Sequence, residues 1–134
     1  MATETITTLN PDTLHEPFEQ LYNHGVLIPA GARFLFIAGQ AGVTKDFEVP
    51  LTLEKELAQA WRNIHAVLKA ADMTPDDLVQ VTCYIRDPAT LQAYVDSAKT
   101  YLGKRKPAMT APIVKRLWSE KWNFEIDAVA AKVG

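Results

Sequence analysis

The five consecutive residues Phe34 to Ala38 are all apolar, and this run constrains the fold more than any other feature of the sequence. Successive side chains of a β-strand point to opposite faces of its sheet, so a strand with one face in water alternates between apolar and polar residues. A run without that alternation predicts a strand covered on both faces. A layer is therefore needed on each side of this strand.

A second apolar stretch, His24 to Ile28, precedes this strand and is separated from it by Pro29-Ala30-Gly31-Ala32. Proline and glycine favour turns, so the sequence predicts a β-hairpin whose second strand is Arg33 to Gly39. Residues 1–20 are polar and show no periodicity, and we interpret them as a flexible N-terminal arm. The rest of the chain, 21–134, has the length of a single domain.

Two segments have the apolar spacing of amphipathic helices. The first begins after Thr52, which can cap it, and ends near Asp72. Its apolar stripe consists of Leu53, Leu57, Trp61, Ile64 and Leu68. The second helix begins at Asp87-Pro88 and ends at Gly103, because proline favours the first helical turn and glycine terminates helices.

Three further segments predict strands. Leu78 to Arg86 alternates between apolar and polar residues, and so does Trp122 to Ala131. Thr110 to Trp118 predicts a strand that Pro112 weakens, because proline cannot donate to a strand ladder. The element order is then ββαβαββ, which predicts an α+β fold with a mixed sheet and two helices. Right-handed crossovers place both helices on the same face of that sheet.

The two helices leave the opposite face of the sheet uncovered, although Phe34 to Ala38 carries apolar side chains there. No remaining segment can cover that face, so the sequence predicts a homo-oligomer. Glu125 and Asp127 lie two positions apart on the last strand and would face the subunit contact or a cleft beside it. Apolar surroundings raise the pKa of a carboxyl group, which makes Glu125 a candidate for proton transfer. A carboxylate paired across the subunit contact fits the same spacing equally well.

Composition argues against several classes of protein. A net charge of -2 and a pI near 5.9 are unlike those of a dedicated nucleic-acid or anionic-membrane binder. We interpret the basic cluster Lys104-Arg105-Lys106 as a solvated loop, in preference to a phosphate-binding site. No signal peptide is visible, and no apolar run approaches the roughly 20 residues of a membrane span, so we expect a cytoplasmic protein without a membrane contact.

The sequence contains no cofactor-binding fingerprint, and no metal or cofactor is predicted. Its single cysteine, Cys83, cannot form an internal disulfide and lies on the apolar face of its strand, so we interpret it as a core residue. The three histidines have no common ligand spacing, and His65 is predicted to be a surface residue of the first helix. Trp61, Trp118 and Trp122 are interpreted as core or interface anchors.

Five segments carry a resemblance to a known family: Tyr22 to Gly25, Phe36 to Gln40, Asn63 to Ala71, Leu78 to Ile85 and Phe124 to Ala130. In this order and spacing they resemble the Rid (YjgF-like) family of reactive intermediate deaminases, also labelled endoribonuclease L-PSP. The resemblance covers nearly everything after the N-terminal arm. It implies a chorismate-mutase-like fold assembled as a homotrimer, with ligand clefts between the subunits.

In the deaminase branch of that family, the cleft binds a 2-imino or 2-enamino acid, which is hydrolysed to a keto acid and ammonia. An arginine holds the carboxylate of the substrate, and a glutamate positions or activates the attacking water. The resemblance assigns Glu125 to this glutamate and Met109 to the arginine position. The other positions that match cleft residues of the family are Tyr22, Gly39, Thr110, Ala111 and Val95, of which Val95 replaces an asparagine.

Met109 implies a branch of the family that lacks the carboxylate-binding arginine. A bidentate guanidinium contributes about 1.5–3 kcal/mol through charge-assisted hydrogen bonds that methionine cannot make. Arg105 or Arg116 would have to supply the charge from elsewhere, and Met109 with Val95 predicts a more apolar cleft. We therefore expect a small imine, enamine or related reactive metabolite as the ligand, with hydrolytic deamination as the reaction class. The alternatives are a non-catalytic protein that binds a small metabolite or a partner protein, and RNA binding or cleavage at the basic cluster.

Overall fold

The computed structural model describes residues 5–134. Its strands are β1 (Thr7–Leu9), β2 (Gly25–Leu27), β3 (Arg33–Ala41), β4 (Leu78–Ile85), β5 (Ala108–Thr110) and β6 (Phe124–Lys132). Its helices are α1 (Leu53–Ala70) and α2 (Leu91–Tyr101), and short 3₁₀ helices lie at Phe18–Gln20, Pro75–Asp77 and Pro88–Thr90. None of the helices in this described range is long and apolar enough to cross a membrane.

The central sheet has the strand order β3-β6-β4-β5. β6 pairs antiparallel with both β3 and β4, whereas β5 joins β4 in parallel, so the sheet is mixed as the element order predicts. α1 packs against β3 and β6, and α2 packs against α1. The indole of Trp61 stacks on the ring of Tyr94 with 6.2 Å between the centroids. The predicted α+β fold, with a mixed sheet and two helices on one face, is confirmed.

α1 forms where the sequence predicts it. The Thr52 hydroxyl accepts a hydrogen bond from the Lys55 backbone N–H at 3.2 Å, which satisfies one of the free donors at the helix N-terminus. Residues of the predicted apolar stripe that are fully buried are Leu57, Trp61, Ile64 and Leu68. They share one core with Cys83, which is buried as the alternation along its strand predicts.

The predicted hairpin between His24–Ile28 and Arg33–Gly39 is wrong. β2 pairs instead with β1, in a separate two-stranded antiparallel sheet. β6 offers β3 an antiparallel partner of nine residues, whereas β2 has three residues, so β3 gains more ladder hydrogen bonds from β6. β1 lies inside the segment 1–20 that we interpret as an arm, and the first four residues of that segment lie outside the described residues.

The strand predicted to begin at Thr110 instead ends there, because Thr110 is the last residue of β5. Beyond it, a bridge between Ile85 and Ile113 continues the contact with β4. Pro112 has no N–H to donate, and its carbonyl accepts a hydrogen bond from the Ile85 N–H at 3.0 Å. Residues 111–123 therefore form a loop beside the sheet.

The face of β3 away from the helices is exposed among the described residues. Phe34 and Phe36 are 52% and 76% exposed, and their rings stack with 6.4 Å between the centroids. Ile37 points to the opposite face and is buried in the core. Among residues 5–134 the apolar run thus has one covered face and one exposed face.

Candidate functional site

A β-bulge interrupts the pairing of β3 with β6 where two of the predicted site residues meet. The register of the two strands shifts between Ile37 and Gln40, and Gly39 lies inside the shift. A side chain on Gly39 would overlap the carboxylate of Glu125. The structure thus brings Gly39 and Glu125 together, and the missing side chain of the glycine makes room for the carboxylate.

Glu125 is half-buried between Phe124 and Ile126, whose buried side chains point to the opposite face of β6. Partial burial raises the pKa of the Glu125 carboxyl, and the negative charge of Asp127 on the same face raises this pKa further. No hydrogen bond holds the carboxylate among residues 5–134. Glu125 is therefore available to bind water or to accept a proton.

Asp127 is held in place by its neighbour on β4. The Tyr84 hydroxyl donates a hydrogen bond to Asp127 Oδ2 at 2.9 Å, and this bond raises the pKa of the Tyr84 phenol. Tyr84 is also the cross-strand partner of Glu125. Sequence reasoning missed Tyr84, although its place on the polar face of an alternating strand is a signal that could have identified it.

These side chains line an open cavity of about 850 Å³. The sheet contributes Gly39, Tyr84, Glu125 and Asp127, and the loop 111–123 contributes Val114, Arg116, Leu117, Trp118 and Trp122. Trp118, interpreted from the sequence as a core or interface anchor, is 88% exposed in the single chain. Within the described part of the chain, no group of three or more His, Cys, Asp or Glu side chains could hold a metal ion.

Arg105 and Arg116, which could replace the missing carboxylate-binding arginine, lie in different surroundings. Arg116 lines the cavity, but its Nε and Nη2 donate to the carbonyl oxygens of Leu117 and Trp118 at 3.1 and 3.2 Å. Its Nη1 lies 3.7 Å from the Glu120 carboxylate. Arg105 does not line the cavity, and its Nε and Nη2 are enclosed without a hydrogen-bond partner. Arg116 thus stabilises its own loop, and neither arginine occupies the position of the carboxylate-binding arginine.

Met109 lies on β5 in register with the buried Val81, so its side chain points toward the helices. Its sulfur accepts a hydrogen bond from the Tyr94 hydroxyl at 3.4 Å. Val95 is 5% exposed and packs in the core, because it lies beside Tyr94 on the buried face of α2. Val95 therefore does not line the cavity of Glu125 within one chain, and its assignment to the cleft between subunits stays a prediction.

Tyr22 lines a second cavity, of about 410 Å³, together with residues from the segment 10–17 and Lys106. Asn23 joins this region to the start of β5. Its backbone N–H donates to the Pro107 carbonyl at 2.9 Å, and its Nδ2 donates to the Lys106 carbonyl at 2.6 Å. Tyr22 is therefore fixed near β5 and not near the bulge.

Within one chain, the predicted site residues fall into two groups. Gly39 and Glu125 lie at the bulge between β3 and β6. Near the opposite edge of the sheet lie Tyr22, Met109, Thr110 and Ala111. The two cavities described above share no lining residue. The predicted site residues therefore do not converge on one cavity within a single chain.

A further carboxylate, Glu56 on α1, is buried against the start of β6 with 1% of its surface exposed. Its oxygens accept hydrogen bonds from the backbone N–H groups of Asn123 at 2.7 Å and Phe124 at 3.2 Å, and from Asn123 Nδ2 at 2.7 Å. These bonds compensate for the burial of the charge and fix the strand that carries Glu125. Sequence reasoning missed Glu56, although its position three residues after Leu53, on the apolar side of α1, is a usable signal.

Comparison with known proteins gives one consistent likeness. Residues 13–132 match the family model described as endoribonuclease L-PSP. The chain is 32% identical over 131 residues to a RutC family protein of Pyrococcus horikoshii, covering 96% of this chain and 98% of the relative. It is 29% identical to the RutC family protein YjgH of Escherichia coli, covering 72% of this chain and 73% of the relative. Among solved structures, YyfB of Yersinia pestis, a Rid-family protein of unknown function, matches with a TM-score of 0.82 at 28% identity, covering 95% of this chain and 98% of the other.

Proposed function

The chain belongs to the endoribonuclease L-PSP family, also known as the Rid or YjgF-like family, and we propose on this premise that it hydrolyses a small imine, enamine or related reactive metabolite. The observation that carries the proposal is the Glu125 carboxylate, which lies over Gly39 at the bulge. Among residues 5–134 it has no hydrogen-bond partner, and burial together with Asp127 raises its pKa. A carboxyl group with a raised pKa can take up and release protons nearer to neutral pH.

The reaction needs a group that accepts a proton from water and returns it to nitrogen. Water adds to the imine carbon while Glu125 takes one of the water protons. The C–N bond then breaks as a proton reaches the nitrogen, so that a carbonyl compound and ammonia leave. Glu125 performs both proton transfers in this scheme, and Gly39 leaves the space in which the carboxylate and the water lie.

The proposal includes assembly into a homotrimer with clefts between subunits. Two observations support it: the exposed apolar face of β3, which carries Phe34 and Phe36, and the division of the predicted site residues into two groups. In such an assembly the group around Tyr22 and Met109 of one subunit would complete the cleft beside Glu125 of the next. Burial of the two phenylalanines would supply the apolar contact.

A second candidate function, binding of a small metabolite without turnover, is favoured by Met109. The residue at the arginine position is a thioether that accepts a hydrogen bond from Tyr94 and points toward the helices. A cleft built this way holds an uncharged or cationic molecule without the charge-assisted contact that orients an imino acid. A measurement of turnover distinguishes binding alone from imine hydrolysis.

The test compares hydrolysis of imines generated in situ from amino acids by an amino-acid oxidase, in the wild type and in Glu125→Gln. Interception of the imine by semicarbazide reports how fast the protein removes it. We expect the wild type to accelerate hydrolysis and Glu125→Gln to lose about 100-fold or more of that acceleration, because general-base catalysis contributes about that much. Glu54→Gln, which changes an exposed carboxylate in the first turn of α1, is the matched control.

Met109→Arg decides between the two functions. Hydrolysis of imino acids by this variant, together with a wild type that hydrolyses neither imino acids nor carboxylate-free imines, would contradict hydrolysis by the native chain and favour binding without turnover. Wild-type activity that persists in Glu125→Gln would contradict the role of Glu125. Size-exclusion chromatography of every variant shows whether a loss of activity reflects the carboxylate or a loss of assembly.

A further inference from the structure

The charges that line the cavity at Glu125 are predominantly negative. Glu125 and Asp127 lie two residues apart on the same face of β6, and Arg116 from the loop lines the cavity with them. Two carboxylates against one guanidinium leave one excess negative charge when both carboxyl groups are ionised. The guanidinium of Arg116 is already engaged by its own loop and by Glu120. An anionic ligand is therefore disfavoured here, and a cationic ligand is favoured.

The remaining lining of the cavity is aromatic and apolar. Trp118 and Trp122 contribute indole rings, and Phe47 stacks behind Trp122 with 6.3 Å between the ring centroids and an interplanar angle of 29°. The face of an indole ring attracts a cation and also binds apolar groups. Indole rings beside carboxylates are a combination with which proteins recognise ammonium-type groups.

A carboxylate on the ligand would meet repulsion at the reacting carbon. In an imine derived from an amino acid, the carboxylate is bonded to the same carbon that water attacks. To react beside Glu125, that carboxylate would have to lie close to Glu125 and Asp127. Within one chain, the residue at the arginine position, Met109, supplies no positive charge to offset this, since its side chain is a thioether directed at Tyr94. A substrate without a carboxylate avoids the repulsion.

We propose that the ligand class of this cavity is the protonated imine of a primary amine, carrying an aromatic or bulky apolar group and no carboxylate. The inference rests on the proposed function and narrows its substrate. The iminium group lies at Glu125 and Asp127, and the apolar group lies against Trp118 and Trp122. Such imines arise by two-electron oxidation of primary amines, so the reaction class that supplies this substrate is amine oxidation.

The hydrolysis of this substrate balances without a redox partner. An iminium ion R–CH=NH₂⁺ and one water give an aldehyde R–CHO and an ammonium ion. The oxygen of water bonds to the imine carbon, and Glu125 takes one proton from that water. The C–N bond then breaks as the nitrogen receives the proton from Glu125, and the proton remaining on oxygen leaves with ammonium. The carbon keeps its oxidation level throughout.

Binding of stable analogues tests the ligand class directly. Isothermal titration calorimetry on the full chain compares 2-phenylethylamine with phenylalanine, which adds a carboxylate, and with 3-phenylpropanoate, which replaces the amine by a carboxylate. We expect 2-phenylethylamine to bind about 10-fold or more tightly than either carboxylate. Its ammonium group contacts the indole rings, and it has no carboxylate for Glu125 and Asp127 to repel. The inference is overturned if the amine does not bind, or if either carboxylate binds as tightly.

Variants assign the binding to this cavity. Trp118→Ala and Asp127→Asn should each weaken binding of 2-phenylethylamine by about 5-fold or more. Phe18→Ala removes a different exposed aromatic ring, outside the cavity lining, and should leave the affinity unchanged. Unchanged affinity in both cavity variants would overturn the assignment.

Turnover separates this inference from the function on which it rests. An amine oxidase generates the imine of phenylacetaldehyde from 2-phenylethylamine, and an amino-acid oxidase generates the carboxylated counterpart from phenylalanine. Faster hydrolysis of the carboxylate-free imine supports the inference. Hydrolysis of the imino acid alone would overturn the inference and leave the proposed function in place. If the protein hydrolyses neither imine but still binds 2-phenylethylamine, the proposed function is overturned and the proposed class of ligand is supported.

Discussion

Glu125 carries the chemistry proposed for the cavity, and two physical effects set its protonation. Partial burial removes water from around the carboxylate, and Asp127 adds a like charge on the same strand face. Both effects favour the neutral acid, so the pKa of Glu125 lies above its ordinary value. A general base has to be ionised, so we expect the rate to decrease as the pH falls through this raised pKa.

Replacing Asp127 by asparagine tests the smaller of the two effects. Asp127→Asn removes the like charge and leaves the burial of Glu125 in place, so the pKa of Glu125 should decrease. We predict that the acid limb of the pH profile of kcat/KM moves to lower pH in this variant. Tyr84→Phe, which keeps the charge of Asp127, is the control and should not show that movement. An acid limb unmoved by Asp127→Asn would contradict the contribution of Asp127.

Gly39→Ala tests the space that the glycine leaves. The added methyl group would overlap the end of the Glu125 side chain, which is flexible and can move aside, so the fold should survive while the carboxylate is displaced. We predict a loss of about 100-fold in kcat/KM, as expected when a catalytic group is misplaced by about 1 Å. Gly25→Ala is the control, because its new methyl group would lie 3.6 Å from Leu9 Cβ, an ordinary contact. Full activity in Gly39→Ala would contradict the proposed position of the carboxylate.

At the scale of elements, His65 joins the two helices. Sequence reasoning predicted a surface residue, but the ring is half-buried between Trp61 and Tyr101, with 6.5 and 6.0 Å between the ring centroids. Its Nε2 lies 3.1 Å from the Tyr101 carbonyl oxygen, which can only accept, so Nε2 is the protonated nitrogen of the neutral ring. The prediction is wrong because α2, which closes over the shoulder of α1, cannot be seen from the periodicity of α1.

This contact makes stability depend on pH. Burial lowers the pKa of His65 below 6.5, and the bond to Tyr101 opposes that shift only in part. The unfolded state therefore binds the proton more readily than the folded state. The contribution to the free energy of unfolding is fully present above 6.5 and is lost as the pH falls through the lowered pKa.

We predict that His65→Gln reduces this dependence, because glutamine keeps an N–H donor and does not titrate. Urea denaturation at a series of mildly acidic pH values measures the free energy of unfolding of both proteins. The wild type should lose more of it than the variant as the pH decreases. Equal losses in the two proteins would show that other groups govern the acid sensitivity.

The helices could be predicted from the sequence because their signals are local. Thr52 and the apolar stripe of α1 lie within a few turns of one another, and both appear in the structure as expected. The hairpin could not be predicted in the same way. Whether β2 pairs with β1 or with β3 depends on β6, which lies about ninety residues further along the chain. Strand pairing is a competition between distant segments, and local patterns do not report its outcome.

At the scale of the whole molecule, the same limit applies to the candidate site. The alternation of the last strand places Glu125 and Asp127 on one face, and the resemblance adds Gly39. Tyr84 joins them only through the register of β4 with β6, and Trp118 only through the loop that replaces the predicted strand. Val95 is buried on α2 within one chain, and its assignment to the intersubunit cleft stays a prediction. The sequence thus predicts the carboxylates, and the fold supplies their surroundings.

The exposed apolar face of β3 allows the proposed assembly to be tested by mutation. Phe36→Glu places a charge on a side chain that is 76% exposed in the single chain, so folding of the subunit should be preserved. In the proposed trimer the same charge would be buried without a partner, which costs about 3 kcal/mol or more and weakens association by about 100-fold. Sedimentation velocity should show a shift from trimer toward monomer, with an unchanged circular-dichroism spectrum.

Leu91→Glu is the matched control for this change. Leu91 is also exposed, at 41%, but it begins α2 on the helical side of the subunit, so its substitution should leave the assembly intact. Activity should follow assembly: Phe36→Glu should lose turnover at concentrations where it is monomeric, because Glu125 and the group around Met109 then do not converge on one cavity. A monomeric Phe36→Glu that retains full activity would mean that the cavity at Glu125 works alone, and the intersubunit cleft would be contradicted while the role of Glu125 remained.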